Sequence, residues 1–301
     1  MKSRHPFINI LTVLFVFALT AGFTWGATIT FDVLATFDYP GSDVVETSPQ
    51  KINDSGEIAG EYFDSSGVTR GFVRLHNGTF SPPIVEPNDT GNSTDLRCIN
   101  NLRTLCGSFL DGTGVHGFFL SGRTFTEFDV PDAVGTRINA LNDAGDFCGS
   151  INAENPAFVS ISGTITTFTV GGFVNTIEPF GMNNSDQAVG TYFDDAAVAH
   201  GFLRDADGTL TFPIDPPGSI GTFLFGNNDR GLMVGRYTDG AGITHALLFT
   251  SPTRFIAFDY PGVTFTSFNG INRQGLICGR YADSSGIGHG ILVRVSRTPT
   301  D

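Results

Sequence analysis

Lysine and tryptophan are almost absent from this chain of 301 residues. Its two lysines are Lys2 and Lys51, and the charged residues together give a formal net charge of -13. Binding to nucleic acid or to an anionic membrane surface needs clustered Lys and Arg side chains, so the composition argues against both kinds of partner. The only tryptophan is Trp25, which leaves the 6 tyrosines as the candidates for an aromatic platform under a bound sugar.

Long hydrophobic runs are equally scarce. The chain has one, from Ile8 to Phe23, behind the basic residues Lys2 and Arg4. At about 16 residues this run is short for a membrane-spanning helix, so we predict a cleaved signal peptide over residues 1–27, with an uncleaved anchor as the alternative. No second apolar stretch follows, and the mature chain is therefore expected to lack a membrane span and to be secreted or periplasmic.

What the sequence does contain is a cassette that occurs six times. Each copy has an Asn and, seven residues later, a Gly. The Asn residues are Asn53, Asn100, Asn142, Asn183, Asn228 and Asn272, and the Gly residues are Gly60, Gly107, Gly149, Gly190, Gly235 and Gly279. Successive copies lie 41 to 47 residues apart. This period is typical of stacked or radial repeat proteins.

Each cassette carries the signals of short strands separated by turns. An Asn-x-x-Gly turn, such as Asn53 to Gly56, ends the first strand, and an Asp turn, such as Asp64 to Gly67, ends the second. A fourth strand ends in a Phe-Asp-x-Pro motif, as in Phe128 to Pro131. Four short strands in a repeat of about 44 residues predict an all-β fold, namely a β-propeller with four-stranded blades.

The two ends of the chain predict a closed ring. The last cassette stops at Val295 without a fourth strand, whereas a Phe-Asp-x-Pro strand precedes the first cassette, from Thr36 to Gly41. If this N-terminal strand completes the last blade, a six-bladed propeller closes and no sheet edge is left exposed. We predict one domain over 28–295 and a C-terminal tail over 296–301. The predicted blades are 42–87, 88–131, 132–172, 173–217, 218–262, and 263–295 closed by 28–41.

The strings from Ile52 to Gly60 and from Ile243 to Leu248 resemble the bacterial extracellular HAF repeat, which is named for its His-Ala-Phe triplet. The resemblance covers nearly the whole mature chain. It implies an exported repeat protein of β-propeller fold with no established activity, and it therefore implies no catalytic residues. The third cassette departs from the pattern: Ile151 replaces the aromatic residue, the Asp turn is lost around residues 152–154, and Pro156 replaces the His.

Four histidines share one cassette position at the start of the third strand. They are His116, His200, His245 and His289, with Arg70 and Pro156 in the other two cassettes. Imidazole is a common metal ligand and acid-base group. The blade assignment, however, places each His away from the central channel, where the four cannot converge. We therefore predict that each His binds the Asp turn or the Phe-Asp-x-Pro loop of its own blade.

The turn aspartates form a second column, made of Asp64, Asp111, Asp194, Asp239 and Asp283. Turn geometry alone accounts for Asp at this position. The alternative is Ca²⁺ or another divalent ion at the blade edges, because such ions take carboxylate and carbonyl oxygens from loops. The spacing matches neither an EF-hand nor a nonapeptide calcium repeat, so no cofactor is predicted.

The cysteines give one local prediction. In the register of the first cassette's hairpin, Cys98 lies directly opposite Cys106. Directly paired antiparallel residues have Cα atoms about 4.5 to 5.5 Å apart, which is within disulfide range. A Cys98–Cys106 disulfide is therefore possible in an exported protein, with buried apolar thiols as the alternative. Cys148 and Cys278 fall three blades apart and are expected to stay reduced.

Two functions fit this sequence. No Gly-x-Ser-x-Gly elbow, His-Glu-x-x-His motif or phosphate-binding loop occurs in it, so the catalytic residues of any activity are unknown. The preferred prediction is an extracellular binding or scaffold module whose loops hold an unknown protein or glycan partner. The alternative is a hydrolase or lyase that acts on an extracellular polysaccharide at the central opening. Function on a symmetric scaffold tends to lie where the repeats differ, such as the long connector from Ser81 to Asp95.

Overall fold

The computed structural model describes residues 28–151, 156–173 and 176–298. These residues form 23 β-strands and no helix, which confirms the all-β prediction. Within these three segments there is accordingly no helix of the length and apolar character needed to cross a membrane. The predicted signal peptide, the lost Asp turn around 152–154 and the last three residues of the predicted tail lie outside the described residues.

The strands follow the cassettes, which we number as repeats 1 to 6 in chain order. Strand β1 spans Thr28–Phe37 and precedes repeat 1. Repeats 1 to 3 contain β2 (Val44–Ile52), β3 (Ile58–Asp64), β4 (Thr69–Arg74), β5 (Asp95–Ile99), β6 (Leu105–Leu110), β7 (Val115–Ser121), β8 (Thr124–Phe128), β9 (Thr136–Leu141), β10 (Phe147–Ile151), β11 (Ala157–Ile161) and β12 (Thr164–Phe168). Repeats 4 to 6 contain β13 (Ile177–Met182), β14 (Ala188–Phe193), β15 (Ala199–Arg204), β16 (Leu210–Ile214), β17 (Ser219–Asn227), β18 (Met233–Asp239), β19 (Thr244–Ser251), β20 (Arg254–Phe258), β21 (Phe265–Ile271), β22 (Leu276–Ala282) and β23 (Gly288–Thr298).

Repeats 2, 3 and 4 each form a separate four-stranded antiparallel sheet. The strands of repeats 5, 6 and 1, together with β1, belong to one 11-stranded sheet. Single parallel bridges join the repeats within this sheet, Thr244 to Phe265 between repeats 5 and 6 and Glu46 to Gly288 between repeats 6 and 1. Each repeat is therefore an antiparallel unit of its own.

Strand β1 occupies the place of a fourth strand in repeat 6. It runs antiparallel to β23, with Thr28 opposite Thr298. The pairing corrects the predicted boundary at Val295, because β23 continues to Thr298 and its residues 296–298 pair with residues 28–30. The last residues before 299 are thus part of a strand and not of a tail.

Repeat 1 does not have the predicted four strands. After β4, the chain forms only isolated bridges to this repeat, such as Gly71 to Ile84. The intervening Pro82 and Pro83 have no N–H group to donate, so a continuous ladder of hydrogen bonds cannot form there. The prediction of four-stranded blades is therefore wrong for this repeat.

The core of each repeat forms where the cassette Gly meets the third strand. In four repeats the Gly lies opposite a fully buried Phe: Gly60 and Phe72, Gly107 and Phe118, Gly149 and Phe158, Gly190 and Phe202. Burying one such ring contributes about 1.5–3 kcal/mol relative to leaving it exposed. On its other side each Gly packs against a carbonyl oxygen of the first strand and leaves no room for a Cβ atom. Close packing therefore accounts for this Gly in every cassette.

The first strands lie beside one another. They contact in the order β2, β5, β9, β13, β17 and β21, and β21 also contacts β2. A cycle of hydrogen bonds follows the same order, because the Nδ2 of each cassette Asn donates to the carbonyl oxygen of the next at 2.9 to 3.4 Å, and Asn272 donates to Asn53. Each Asn Oδ1 also accepts a backbone N–H from its own turn. We call the space that these six strands border the central opening.

Candidate functional site

The four predicted histidines lie on the face that carries the Asp turns and the Phe-Asp-x-Pro loops, which we call the His face. Each imidazole lies between two carboxylates. The Nδ1 atom of each His lies close to the Asp of the Phe-Asp-x-Pro loop. The distances are 2.8 Å for His116 and Asp129, 2.6 Å for His200 and Asp215, 2.7 Å for His245 and Asp259, and 2.9 Å for His289 and Asp38. Nε2 lies 3.2 to 3.5 Å from the turn aspartates Asp111, Asp194, Asp239 and Asp283. Every His in this column therefore links two loops.

Arg70 takes the same place in repeat 1. Its Nη1 donates to Asp64 at 2.8 Å, and its guanidinium lies over the ring of Tyr62. The histidines stack in a similar way on an aromatic residue of the second strand, for example Tyr237 and His245 with ring centroids 4.8 Å apart. The column thus supports the loops of the His face.

Four of the five turn aspartates use both carboxylate oxygens within their own repeat. Oδ1 of Asp64, for example, accepts the backbone N–H groups of Ser66 and Val68 at 2.9 and 3.1 Å. The second oxygen faces the His or Arg of the column, whereas in the exception, Asp111, Oδ1 makes both kinds of contact. Among the described residues, one group of three potential metal-ligating side chains comes together, namely His116, Glu127 and Asp129, and it contains a single member of the His column.

These carboxylates predict that stability falls at alkaline pH. The hydrogen bond that His116 donates to Asp129 raises the pKa of His116. Burial lowers the pKa of His200, but Asp215 and Asp194 outweigh burial, and the net change is upward. A His with a raised folded-state pKa contributes stability that is complete below the unfolded value of about 6.5 and is lost as pH rises through the folded value. Urea unfolding is therefore expected to show a free energy of unfolding that falls as pH rises above about 6.5.

The variant His200→Asn tests the origin of this dependence. It is expected to flatten the profile by about 1.4 kcal/mol for each unit by which the folded pKa exceeds the unfolded one. His76→Asn is the matched control, because His76 is exposed and forms no ion pair within the part of the chain that the structure describes. Equal profiles for the two variants would contradict the assignment to the His column.

The cysteines occupy two different environments. Cys98 and Cys106 face each other on β5 and β6 and form a disulfide, with Cα atoms 5.0 Å apart. Cys148 and Cys278 are buried free thiols, and burial raises the pKa of each to about 12. A thiol with such a pKa is protonated at neutral pH and is a poor nucleophile. These positions therefore serve packing and not covalent catalysis.

A ring of polar side chains lies at the end of the central opening where the Asn turns are, which we call the Asn end. Its members follow the cassette Asn residues and are Asp54, Asn101, Asp143, Asn184, Asp229 and Arg273. Carboxylates alternate with side chains that donate hydrogen bonds. Asn101, for example, donates from Nδ2 to Asp54 at 3.2 Å and to Asp143 at 2.8 Å. Neighbouring repeats are therefore joined here by side chains as well as by backbone.

A cavity of about 90 Å³ lies at the Asn end and is lined by residues of all six repeats. Lys51 contributes to its lining. Burial lowers the pKa of Lys51 to about 8, and its Nζ donates to the carbonyl oxygens of Gln50 and Asn269 at 3.3 and 3.4 Å. These contacts fix the only lysine among the described residues in a structural position.

Two further columns of side chains lie near the central opening, one on the first strands and one on the second strands beside them. The bulge column is the residue three before each cassette Asn, where every first strand has a β-bulge that re-aims the side chain. Its members are Gln50, Arg97, Asn139, Phe180, Phe225 and Asn269. The post-Gly column is the residue after each cassette Gly: Glu61, Ser108, Ser150, Thr191, Arg236 and Arg280. Neither column keeps one residue type, whereas the Asn and Gly columns do.

Charged residues of repeats 1 to 3 form one wall of the opening, which we call the charged wall. The guanidinium of Arg97 lies 3.4 Å from Asp95 and 3.7 Å from Glu61, and Arg137 lies 3.6 Å from Asp95. Burial raises the pKa of Glu61. Burial alone would lower the pKa of Arg97, but Glu61 and Asp95 reverse this effect and raise it. The charges on this side therefore neutralise one another.

Three buried polar atoms in these two columns have no hydrogen-bond partner among the described residues. They are Oε2 of Glu61, Nδ2 of Asn139 and Oγ1 of Thr191. Leaving such an atom unpaired costs about 1–3 kcal/mol, so native proteins normally satisfy it with water or a ligand. These atoms therefore need a hydrogen-bond partner, which water or a polar ligand would supply.

Residues of repeats 4 to 6 form an aromatic wall on the other side, made of the half-buried Phe180, Phe223, Phe225 and Phe265. The rings of Phe180 and Phe225 lie 5.3 Å apart between centroids. The guanidinium carbon of Arg236 lies 4.6 Å from the ring of Phe223, 5.2 Å from Phe225 and 5.3 Å from Phe265. The opening is thus charged on one side and aromatic on the other.

Sequence reasoning identified the His and Asp columns and missed both walls. The first two columns stand out because their residues recur, whereas the post-Gly position carries Glu only at Glu61 and Arg only at Arg236 and Arg280. Aligning the six cassettes would have marked the bulge and post-Gly columns as the variable ones. The sequence does not show that these columns face the opening, because that depends on the bulge and on packing between repeats.

Comparison with solved structures agrees with this fold. The chain is similar to virginiamycin B lyase from Staphylococcus aureus, with a TM-score of 0.52 and 12% identity over 88% of this chain and 99% of that one. It is similar to a lectin from Aleuria aurantia in complex with Fucalpha1-6GlcNAc, with a TM-score of 0.56 and 10% identity over 87% and 98% of the two chains. It is also similar to the β-propeller domain of the Trilobed protease from Pyrococcus furiosus, with a TM-score of 0.53 and 9% identity over 85% of this chain and 82% of that one. No protein-family model and no curated protein matches the chain. At these identities the similarity shows the fold alone, which is that of a β-propeller.

Proposed function

We propose that this chain is an exported six-bladed β-propeller of the HAF-repeat type that acts as an extracellular binding module. The cycle of Asn hydrogen bonds and the pairing of β1 with β23 support a ring in which β1 completes the last blade. The apolar run from Ile8 to Phe23 supports export.

The observation that carries the proposal is the variation around the central opening. The Asn column recurs because it joins neighbouring repeats, and the Gly and His columns recur because they stabilise each repeat, whereas the bulge and post-Gly columns carry several residue types. Unpaired buried atoms of Glu61, Asn139 and Thr191 lie in these variable columns. Glycans present many hydroxyl groups that both donate and accept hydrogen bonds, and the lectin from Aleuria aurantia shares the fold. A glycan is therefore the first ligand class to test, with a protein partner as the other.

Thermal melts with a panel of neutral and acidic oligosaccharides test this function, because a ligand of the folded state raises Tm. A glycan at about 100 times its Kd is expected to add about 2.7 kcal/mol of stability. Asn139→Ala should reduce the shift, and Asn77→Ala, at an exposed turn of the Asn end, should leave it unchanged. A panel that produces no shift would rule out glycan binding.

The alternative function is a hydrolase or lyase that acts on an extracellular polysaccharide at the same opening. Glu61 favours it, because a carboxyl group with a raised pKa can donate a proton near neutral pH, and Asp95 lies nearby as a second carboxylate. Incubation with polysaccharides, followed by assay of reducing ends and unsaturated products, tests this activity. Products formed by the wild type and not by Glu61→Gln would replace the binding proposal with an enzymatic one.

A further inference from the structure

Arg236 and Arg280 occupy the same post-Gly position in repeats 5 and 6, and both approach the first strand of the next repeat. Arg280 forms an ion pair with Glu46, which lies seven residues before Asn53. The equivalent residue of repeat 6, seven before Asn272, is Phe265. Both guanidinium groups lie over the Phe265 ring, but only Arg280 also meets a carboxylate.

The guanidinium of Arg236 has no anionic partner within the described residues. No carboxylate oxygen lies within 4.0 Å of its nitrogens, and none of its N–H groups makes a hydrogen bond there. Burial lowers the pKa of Arg236 to about 10, and no neighbouring charge offsets this effect. Three phenylalanine rings surround the group, and each ring face attracts a cation without supplying a hydrogen-bond acceptor of carboxylate strength. The N–H groups of Arg236 are thus left for an oxyanion from outside the chain.

We propose that Arg236 and the aromatic wall form a seat for a small organic carboxylate, whose oxygens bind the guanidinium and whose apolar part packs on Phe223, Phe225 and Phe265. The planar guanidinium matches a carboxylate with two parallel hydrogen bonds. This inference rests on the proposed function in one respect, namely that the central opening is where the ligand binds.

A carboxylate fits this seat better than an inorganic phosphate or sulfate does. The walls beside Arg236 are hydrocarbon, and a strongly hydrated ion would lose its water there without compensating hydrogen bonds. A carboxylate with an aryl or alkyl body replaces water with apolar contacts on the rings. The net charge of -13 opposes the approach of any anion at long range, but salt screens this repulsion beyond about 8 Å at physiological ionic strength.

Titration of the purified protein with phenylacetate, followed by calorimetry and by Tm, tests the seat. Phenylacetate is expected to bind and to raise Tm, whereas the neutral analogue phenylacetamide should bind at least about tenfold more weakly, because it lacks the charge. Arg236→Gln should weaken phenylacetate binding by about tenfold or more. Equal binding of the acid and the amide would overturn the proposal.

Phe265→Glu is a second variant that retains Arg236. The substitution places in repeat 6 the residue type that repeat 1 has at Glu46, and it gives Arg236 a carboxylate partner within the chain. We expect it to abolish phenylacetate binding without lowering Tm. Glu46→Gln is the opposite change, because it removes the partner of Arg280 and is expected to preserve or strengthen phenylacetate binding. Undiminished binding to folded Phe265→Glu would contradict the seat.

The two proposals fail in different ways. If glycans raise Tm through Asn139 and phenylacetate does not bind, the binding function stands and the carboxylate seat is wrong. If phenylacetate binds in an Arg236-dependent manner and no glycan does, the seat stands and glycan recognition is wrong. Absence of Arg236-dependent phenylacetate binding overturns the inference whatever the glycan panel shows.

Discussion

Replacing Gly235 by alanine is expected to destabilise the fold by about 3 kcal/mol. Gly235 lies in the middle of β18, opposite Leu247 on the third strand. A Cβ atom at this position would overlap the carbonyl oxygen of Phe223 on the first strand. Because the clash is with backbone next to the bulge, no side-chain rotation relieves it. Urea unfolding monitored by circular dichroism measures the loss.

The matched control is Gly240→Ala in the Asp turn of the same repeat. A Cβ atom on Gly240 would meet no atom within 4 Å. Its φ angle is also outside the left-handed region, so alanine is expected to change the free energy of unfolding by less than about 0.5 kcal/mol. Similar losses in both variants would mean that chain flexibility, and not close packing, explains the cassette Gly.

Replacing Asn272 by alanine is also expected to cost about 3 kcal/mol. Its Nδ2 donates to the carbonyl oxygen of Asn53 at 3.0 Å, and its Oδ1 accepts from the backbone N–H groups of Gln274 and Leu276 at 3.0 and 2.9 Å. The side chain is buried, so its removal leaves these backbone groups without partners. Equilibrium unfolding in urea is the measurement.

Two comparisons make this result specific. Arg273→Ala removes an exposed ion pair with Asp54 at 3.4 Å, which is expected to cost less than about 1 kcal/mol. Asn142→Ala removes the same kind of contact between repeats 3 and 4. If Asn272→Ala were harmless and Asn142→Ala were not, the proposed closure between repeats 6 and 1 would be wrong.

The parts of this fold that the sequence predicts are local. The Asn-x-x-Gly and Asp turns can be identified because their hydrogen bonds join residues two to four positions apart, as from Ser66 to Asp64. The Cys98–Cys106 pair spans eight residues and follows from the register of one hairpin. The position of β1 is an exception, since a missing strand at one end and a spare strand at the other indicate a long-range pairing.

The errors and omissions arise where residues distant in the chain meet. Val295 looked like the end of the last strand, but pairing with residues 28–30 extends that strand to Thr298. Repeat 1 looked like the others, but Pro82 and Pro83 leave it without a fourth strand. The sequence analysis makes no prediction for Arg236, because its position over Phe265 depends on packing between two repeats.

The sequence by itself determined the six repeats, their turns and the residue types that recur in each, because these depend on neighbours within one cassette. Tertiary structure alone decided how the repeats meet. Five of the Asn hydrogen bonds connect residues 41 to 47 positions apart along the chain. The sixth connects Asn272 to Asn53, which are 219 positions apart. The charged and aromatic walls exist only because side chains of separate strands, some of them at bulges, meet beside one opening. Their chemistry therefore follows from the arrangement of the strands in space, which no single cassette specifies.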